Sequence, residues 1–127
     1  MADYPYRLDG ELIVVPVTLH GAIGASNGMF VLDTGSSAMI IDHEVALDLG
    51  YSVKDGIGFS TVSSAAGKEK GYRLLIEGFE AFGKKNRSME VRCHDLKDHG
   101  VEGLIGMVFL KQFDWCLHPS QQVISVH

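Results

Sequence analysis

A small, mostly β, barrel-like domain with one or two short helices is the fold class this sequence predicts, and three observations carry it. Short β-branched and aromatic runs recur along the chain, each bounded by Gly, Asn or Asp. Helical spacing of apolar residues shows only near residues 43–49 and from Ile105 through Val108 and Phe109 to Gln112 or Phe113. A length of 127 residues with 46% hydrophobic and 21% charged residues suits one globular domain, 1–127, large enough to bury a core.

Residues 11–19 are β-branched between Gly10 and Gly21 and read as a strand. Pro16 cannot donate to a ladder, so that point belongs at an edge or a bulge. A Gly-containing loop, 20–27, leads to a second strand, 28–33, which completes a hairpin and ends on Asp33. Residues 38–41 form a short apolar strand. Asp42 is a good N-cap for a helix over 43–49, with Val45 and Leu49 on one face and Gly50 as the stop. Two β-like arms, 59–62 and 72–76, flank a small, polar hairpin tip at 63–68. Lys84, Lys85 and Arg87 read as a solvated basic turn, and 89–93 alternates like a strand with one buried face. A charged loop, 95–100, precedes a two-turn helix starting near Gly106, and residues 115–117 and 122–126 close the chain as a hairpin.

Chemistry concentrates at Phe30-Val31-Leu32-Asp33-Thr34-Gly35-Ser36. Three apolar residues deliver an acid into a turn of small and hydroxyl residues. A buried carboxylate is costly unless hydrogen-bonded, paired or protonated. The Gly35 amide and the Ser36 hydroxyl are the local donors expected to reach Asp33, with Gly35 supplying the close approach and unusual dihedrals of the turn. Taken alone, the tripeptide also fits an ordinary strand-end Asx-turn.

With the apolar run before it and the Ser after it, this stretch resembles the active-site loop of aspartic peptidases. A single copy in so short a chain is similar to the retroviral (retropepsin) type rather than the two-lobed pepsin type. Residues 101–110, Val-Glu-Gly-Leu-Ile-Gly-Met-Val-Phe-Leu, resemble the second signature of that family, two apolar residues and a Gly before a short helix. The resemblance spans Leu12 to Val126. It implies a closed retropepsin-like barrel and an aspartic endopeptidase that cuts polypeptide substrates between hydrophobic residues. Such hydrolysis needs two carboxylates around one water, and this chain supplies one Asp-Thr-Gly. A two-fold homodimer, each copy giving one Asp33, is therefore expected.

The resemblance also assigns roles. Thr34 cross-braces the two loops, the Gly35 carbonyl grips the substrate backbone, and Ala65, Ala66 and Gly67 form a flap tip that covers it. Leu32, Leu104 and Ile105 line apolar subsites. Two residues depart from the retroviral pattern. Ser36 stands where many retroviral enzymes carry Ala, and a hydroxyl on the carboxylate predicts a more acidic pH optimum than in Ser36→Ala. Ser37 and Met107 replace an Asp and Arg that often form an ion pair, which bears on dimer stability.

A net charge of −5 without a basic stripe argues against a nucleic-acid partner, and none is expected. Residues 1–7 lack a basic and an apolar leader region, and no run of about 18 apolar residues occurs, so no membrane association and a cytoplasmic location are expected. Cys93 and Cys116 are read as buried thiols. With His94 and His118 they match no zinc spacing, and neither Ser36 nor Ser37 lies in a Gly-x-Ser-x-Gly elbow. Neither metal nor cofactor is expected. Two other readings stay open: a catalytically inactive dimeric peptide-binding or scaffold module of the same fold, and an unrelated small β-barrel.

Overall fold

The computed structural model describes residues 2–64 and 67–127. Among the described residues eleven strands and two short α-helices follow one another: β1 (Ala2–Pro5), β2 (Arg7–Asp9), β3 (Leu12–Gly21), β4 (Gly24–Leu32), β5 (Ile40–Asp42), α1 (His43–Asp48), β6 (Gly58–Ser64), β7 (Gly67–Ala81), β8 (Lys84–His94), β9 (Gly103–Ile105), α2 (Met107–Leu110), β10 (Trp115–His118) and β11 (Val123–Val126). Single 3₁₀ turns lie at Val53–Asp55 and Lys97–His99.

Eight strands form one sheet in the order β2-β3-β4-β9-β5-β8-β7-β6. β3 also pairs with β7 through Thr18↔Glu80 to His20↔Gly78, so the pairings β3-β4-β9-β5-β8-β7-β3 run in a closed circuit. Pro16 sits where the free side of β3 changes partner, after the pairs with β2 end at Val14 and before those with β7 begin at Thr18. Its missing N–H therefore breaks no ladder bond there.

Inside the circuit, Phe30, Phe79 and Phe109 are fully buried. Ring contacts continue from Phe30 to Phe79 (5.8 Å), Phe109 (5.0 Å), Phe113 (5.5 Å), Phe82 (6.0 Å) and Tyr4 (5.9 Å). Most of these pairs meet edge to face, which the ring quadrupoles favour. The chain of rings ties β4 and α2 to a second, three-stranded sheet, β1-β11-β10. Phe82 holds a left-handed φ of 52° and Gly83 one of 70°, the type I′ geometry of a two-residue hairpin. Burial of the Phe82 ring against Tyr4 and Phe113 offsets the backbone cost.

Several elements differ from the sequence expectation. Lys84, Lys85 and Arg87 lie in β8, because the turn falls two residues earlier at Phe82-Gly83. The helix near Gly106 is a single turn, and Ile105 belongs to β9. β1 and β2 arise from segments with little apolar pattern. They are strands because β11 and β3 offer them ladders, as in Ala2↔Val126 and Arg7↔Val14. Cys93 is buried, which pushes its thiol up to about 11, but Cys116 is exposed on β10. Among the described residues no helix is long and apolar enough to cross a membrane.

Candidate active site

The acid loop is built by three strands. β9 lies between β4 and β5, parallel to the first (Val31↔Leu104, Leu32↔Ile105) and antiparallel to the second (Ile40↔Leu104, Ile41↔Gly103). Phe30 is buried on the core face of β4, and a Cβ on Gly103 would meet its ring at 2.4 Å. This close packing fixes β9 beside the strand that carries the acid.

Asp33 follows β4 directly. Its N–H donates to the Ile105 carbonyl (2.9 Å), and its own carbonyl accepts from the Ser36 N–H (3.2 Å), closing a four-residue turn. The Gly35 N–H donates to Asp33 Oδ1 (3.0 Å), the local donor the sequence suggests. Gly35 does not take a left-handed φ. What it provides is room, since a Cβ there would lie 3.3 Å from Asp33 Oδ1.

The Ser36 hydroxyl differs from the sequence expectation. It donates to the Ala38 carbonyl (2.9 Å), not to Asp33. A backbone acceptor two residues on satisfies it locally, so the expected link between Ser36 and the carboxylate is absent. Asp33 itself is half-buried, and Thr34 and Gly35 are exposed on the single chain. Below the loop, α2 anchors it through Met107 N–H to Ser36 O (2.7 Å) and Val108 N–H to Ser37 O (3.0 Å). Ser37 and Met107, at positions where the retroviral pattern often has an ion pair, thus each take part in one of these two main-chain bonds.

Asp33 opens into a cleft of about 450 Å³. Leu12, Val31, Leu32, Ile40, Leu96, Val101 and Leu104 supply apolar wall, and Val62 and Glu69, opposite each other in the β6–β7 hairpin, border it as well. Leu32 and Leu104 both line this cleft. Ile105 does not: it is fully buried in the core, because adjacent residues of β9 point to opposite faces and Leu104 takes the cleft. Gly67 pairs with Ser64 at the far end of the hairpin with φ +117°. Ala65 and Ala66 lie outside the described residues.

His94 and His99 complete the cleft and were not anticipated. His94 Nε2 and Ser60 Oγ are 2.9 Å apart in a buried pair. Burial holds the imidazole below its usual pKa; Arg92 adds to that shift and Glu69 opposes it. The alternation of 89–93, extended by one residue, sets His94 with Glu90 and Arg92 on the face away from Cys93, and that was the available signal.

Among the described residues Asp42, His43 and Asp95 bring possible metal-ligating atoms within 4.8 Å of one another. Both Asp42 oxygens already accept backbone N–H groups, Oδ2 from Glu44 (3.2 Å) and Oδ1 from Leu96 (2.8 Å). That arrangement is a helix cap which also fixes the Leu96 wall of the cleft.

Residues 19–112 match the family model described as "gag-polyprotein putative aspartyl protease". No curated protein matches the sequence. Among solved structures, a retropepsin-like aspartic protease from Rickettsia conorii superposes with a TM-score of 0.74 at 18% identity, covering 98% of this chain and 99% of that one. At that identity the likeness speaks for the fold.

Proposed function

The chain belongs to the gag-polyprotein aspartyl protease family, and from that membership we propose that it is a homodimeric aspartic endopeptidase of the retropepsin type. The observation that carries the reading is the position of Asp33, held by the Gly35 N–H at 3.0 Å and facing a mostly apolar cleft bordered by a hairpin. One chain brings one such carboxylate. Two copies related by a two-fold axis bring the same residue to both sides of that axis.

In the dimer the two Asp33 side chains share a proton, because like charges so close cannot both ionise. One carboxylate takes a proton from the attacking water; the protonated partner gives its proton to the leaving amine. Exposure of Thr34 and Gly35 on the single chain supports their roles, Thr34 toward the opposite loop and the Gly35 carbonyl toward the substrate backbone. Ser36 keeps a structural role through Ala38. The hairpin of β6 and β7 acts as the flap. An extended peptide lies beneath it, held largely by main-chain bonds as in strand addition. Leu32 and Leu104 favour apolar side chains beside the cut. Ile105 contributes its carbonyl to Asp33 rather than a subsite wall. A cytoplasmic location is part of the same proposal.

Cleavage of a mixed peptide library between acidic and neutral pH, read by mass spectrometry, tests this. Wild type should cut between apolar residues and Asp33→Asn should not. Equal cutting by both proteins removes Asp33 from the chemistry. Binding of peptides without cutting by either favours the inactive binding module.

A further inference from the structure

The cleft is largely apolar, yet its hairpin side carries a second carboxylate besides Asp33, that of Glu69. Cross-strand pairing decides where it points. Val62 and Glu69 are directly opposite in the β6–β7 hairpin, so both side chains leave the same face, and both line the cleft. Lys68 and Lys70 flank Glu69 in sequence and leave the opposite face by the period of two. They do not neutralise it within the cleft. Among the described residues the ion pairs within 4.0 Å are His20–Glu80, His43–Glu44 and Arg73–Glu90, and none involves Glu69.

The remaining polar wall is no match for it either. The described lining contains no Lys or Arg; neither of its histidines, His94 and His99, forms an ion pair with Glu69 within 4.0 Å, and the His94 ring is engaged with Ser60 and held toward its neutral form by burial, which outweighs the opposing pull of Glu69. Beneath the hairpin the cleft thus presents an unpaired, solvent-reachable carboxylate beside an apolar neighbour, Val62. Lys and Arg are the side chains with matching anatomy, an aliphatic stem to lie along Val62 and a cationic head to meet Glu69.

We propose that Glu69 is a specificity-determining residue that receives a Lys or Arg side chain of the peptide substrate, at a subsite between the hairpin and the His94 wall. Successive side chains of an extended peptide point to opposite sides. One peptide therefore places apolar residues against Leu32 and Leu104 and its basic residue toward the hairpin. The turnover part of this inference rests on the peptidase reading; the binding part does not.

The test scans an apolar peptide with Lys one position at a time, against norleucine at the same position, which keeps the stem and removes the charge. Two quantities are measured at neutral pH: kcat/KM with wild type, and Kd with Asp33→Asn, where no turnover intervenes. The expected result is one position at which Lys exceeds norleucine by about fivefold, the scale of a partly exposed ion pair. That ratio falls to near unity in the Glu69→Gln background. In Glu69→Lys it inverts, and Glu at that position is preferred instead. Absence of any Lys-preferring position in binding, or a Lys preference that survives Glu69→Gln, overturns the assignment. A Lys preference in binding without cleavage by wild type upholds it and counts against the peptidase reading alone.

Discussion

Gly106→Ala should be among the most damaging single-methyl additions to this protein. The backbone there has φ −99° and ψ −178°, which any residue adopts, so what excludes a side chain is space. A Cβ would lie 2.2 Å from the Ala38 carbonyl oxygen and 2.7 Å from that of Ser36, and both obstacles are main chain. Ordinary contact requires these atoms to move apart by roughly 1 Å. The Ser36 carbonyl accepts the Met107 N–H at 2.7 Å and the neighbouring Ser37 carbonyl accepts the Val108 N–H at 3.0 Å. Loss of both bonds costs about 1 kcal/mol each. Overpacking strain in a core-like site adds about 1–3 kcal/mol. The sum, about 3–5 kcal/mol, corresponds to a fall in Tm of roughly 10–20 °C for a domain of this size. Urea and thermal unfolding measure it, and peptide cleavage should fall as well because the displaced segment is the loop that carries Asp33. A variant within about 1 kcal/mol of wild type would refute the claim that direct contact between β9–α2 and the acid loop holds the site in shape.

Ser36→Ala should leave the pH profile of cleavage unmoved and cost about 1 kcal/mol of stability, because its hydroxyl bonds Ala38 rather than Asp33; a displaced pH optimum would restore the hydroxyl to the carboxylate. His94 makes stability depend on pH. Burial lowers its folded pKa below the unfolded value near 6.5, so the unfolded chain binds the proton more readily. Its contribution is fully present above about pH 6.5 and is lost as the pH falls toward the folded pKa. His94→Gln, which keeps a partner for Ser60, should flatten the slope of unfolding free energy between neutral and acidic pH in urea titrations; an unchanged slope sinks the linkage. Phe109→Ala removes the ring between Phe79 and Phe113 and should cost about 3–5 kcal/mol in the same assay, and a loss below about 1 kcal/mol would mean the aromatic chain is not what joins the two sheets.

What the sequence makes legible is what local chemistry encodes. Asp42 caps α1 at the expected residue because an N-cap is decided within a few positions. The acid loop and the 103–107 segment are recognisable because each works through neighbours in sequence, as the Gly35 N–H does with Asp33. Ile105 faces the core and Leu104 the cleft, a separation that the strand period of two dictates for adjacent residues but that a shared apolar character conceals. The far side of the cleft is different. His94 and Leu96 reach it through the parallel pairing of β5 with β8, Ile40↔Arg92 to Asp42↔His94, and through the Leu96 bond to Asp42. Those partners are more than fifty residues apart, and no pattern within either strand specifies the other. The Ser36 hydroxyl was ambiguous for a smaller reason. Several acceptors lie within its reach, and the folded turn selects the Ala38 carbonyl.

The central claim, a water shared by two Asp33 carboxylates from two chains, is tested most directly by diluting wild type with Asp33→Asn protein under conditions where subunits exchange. If both carboxylates are required, only dimers with two wild-type chains cut peptide, and an equal mixture should show about half the cleavage per wild-type chain, falling further as the mutant share rises. Cleavage per wild-type chain that stays constant at every ratio would contradict the shared site.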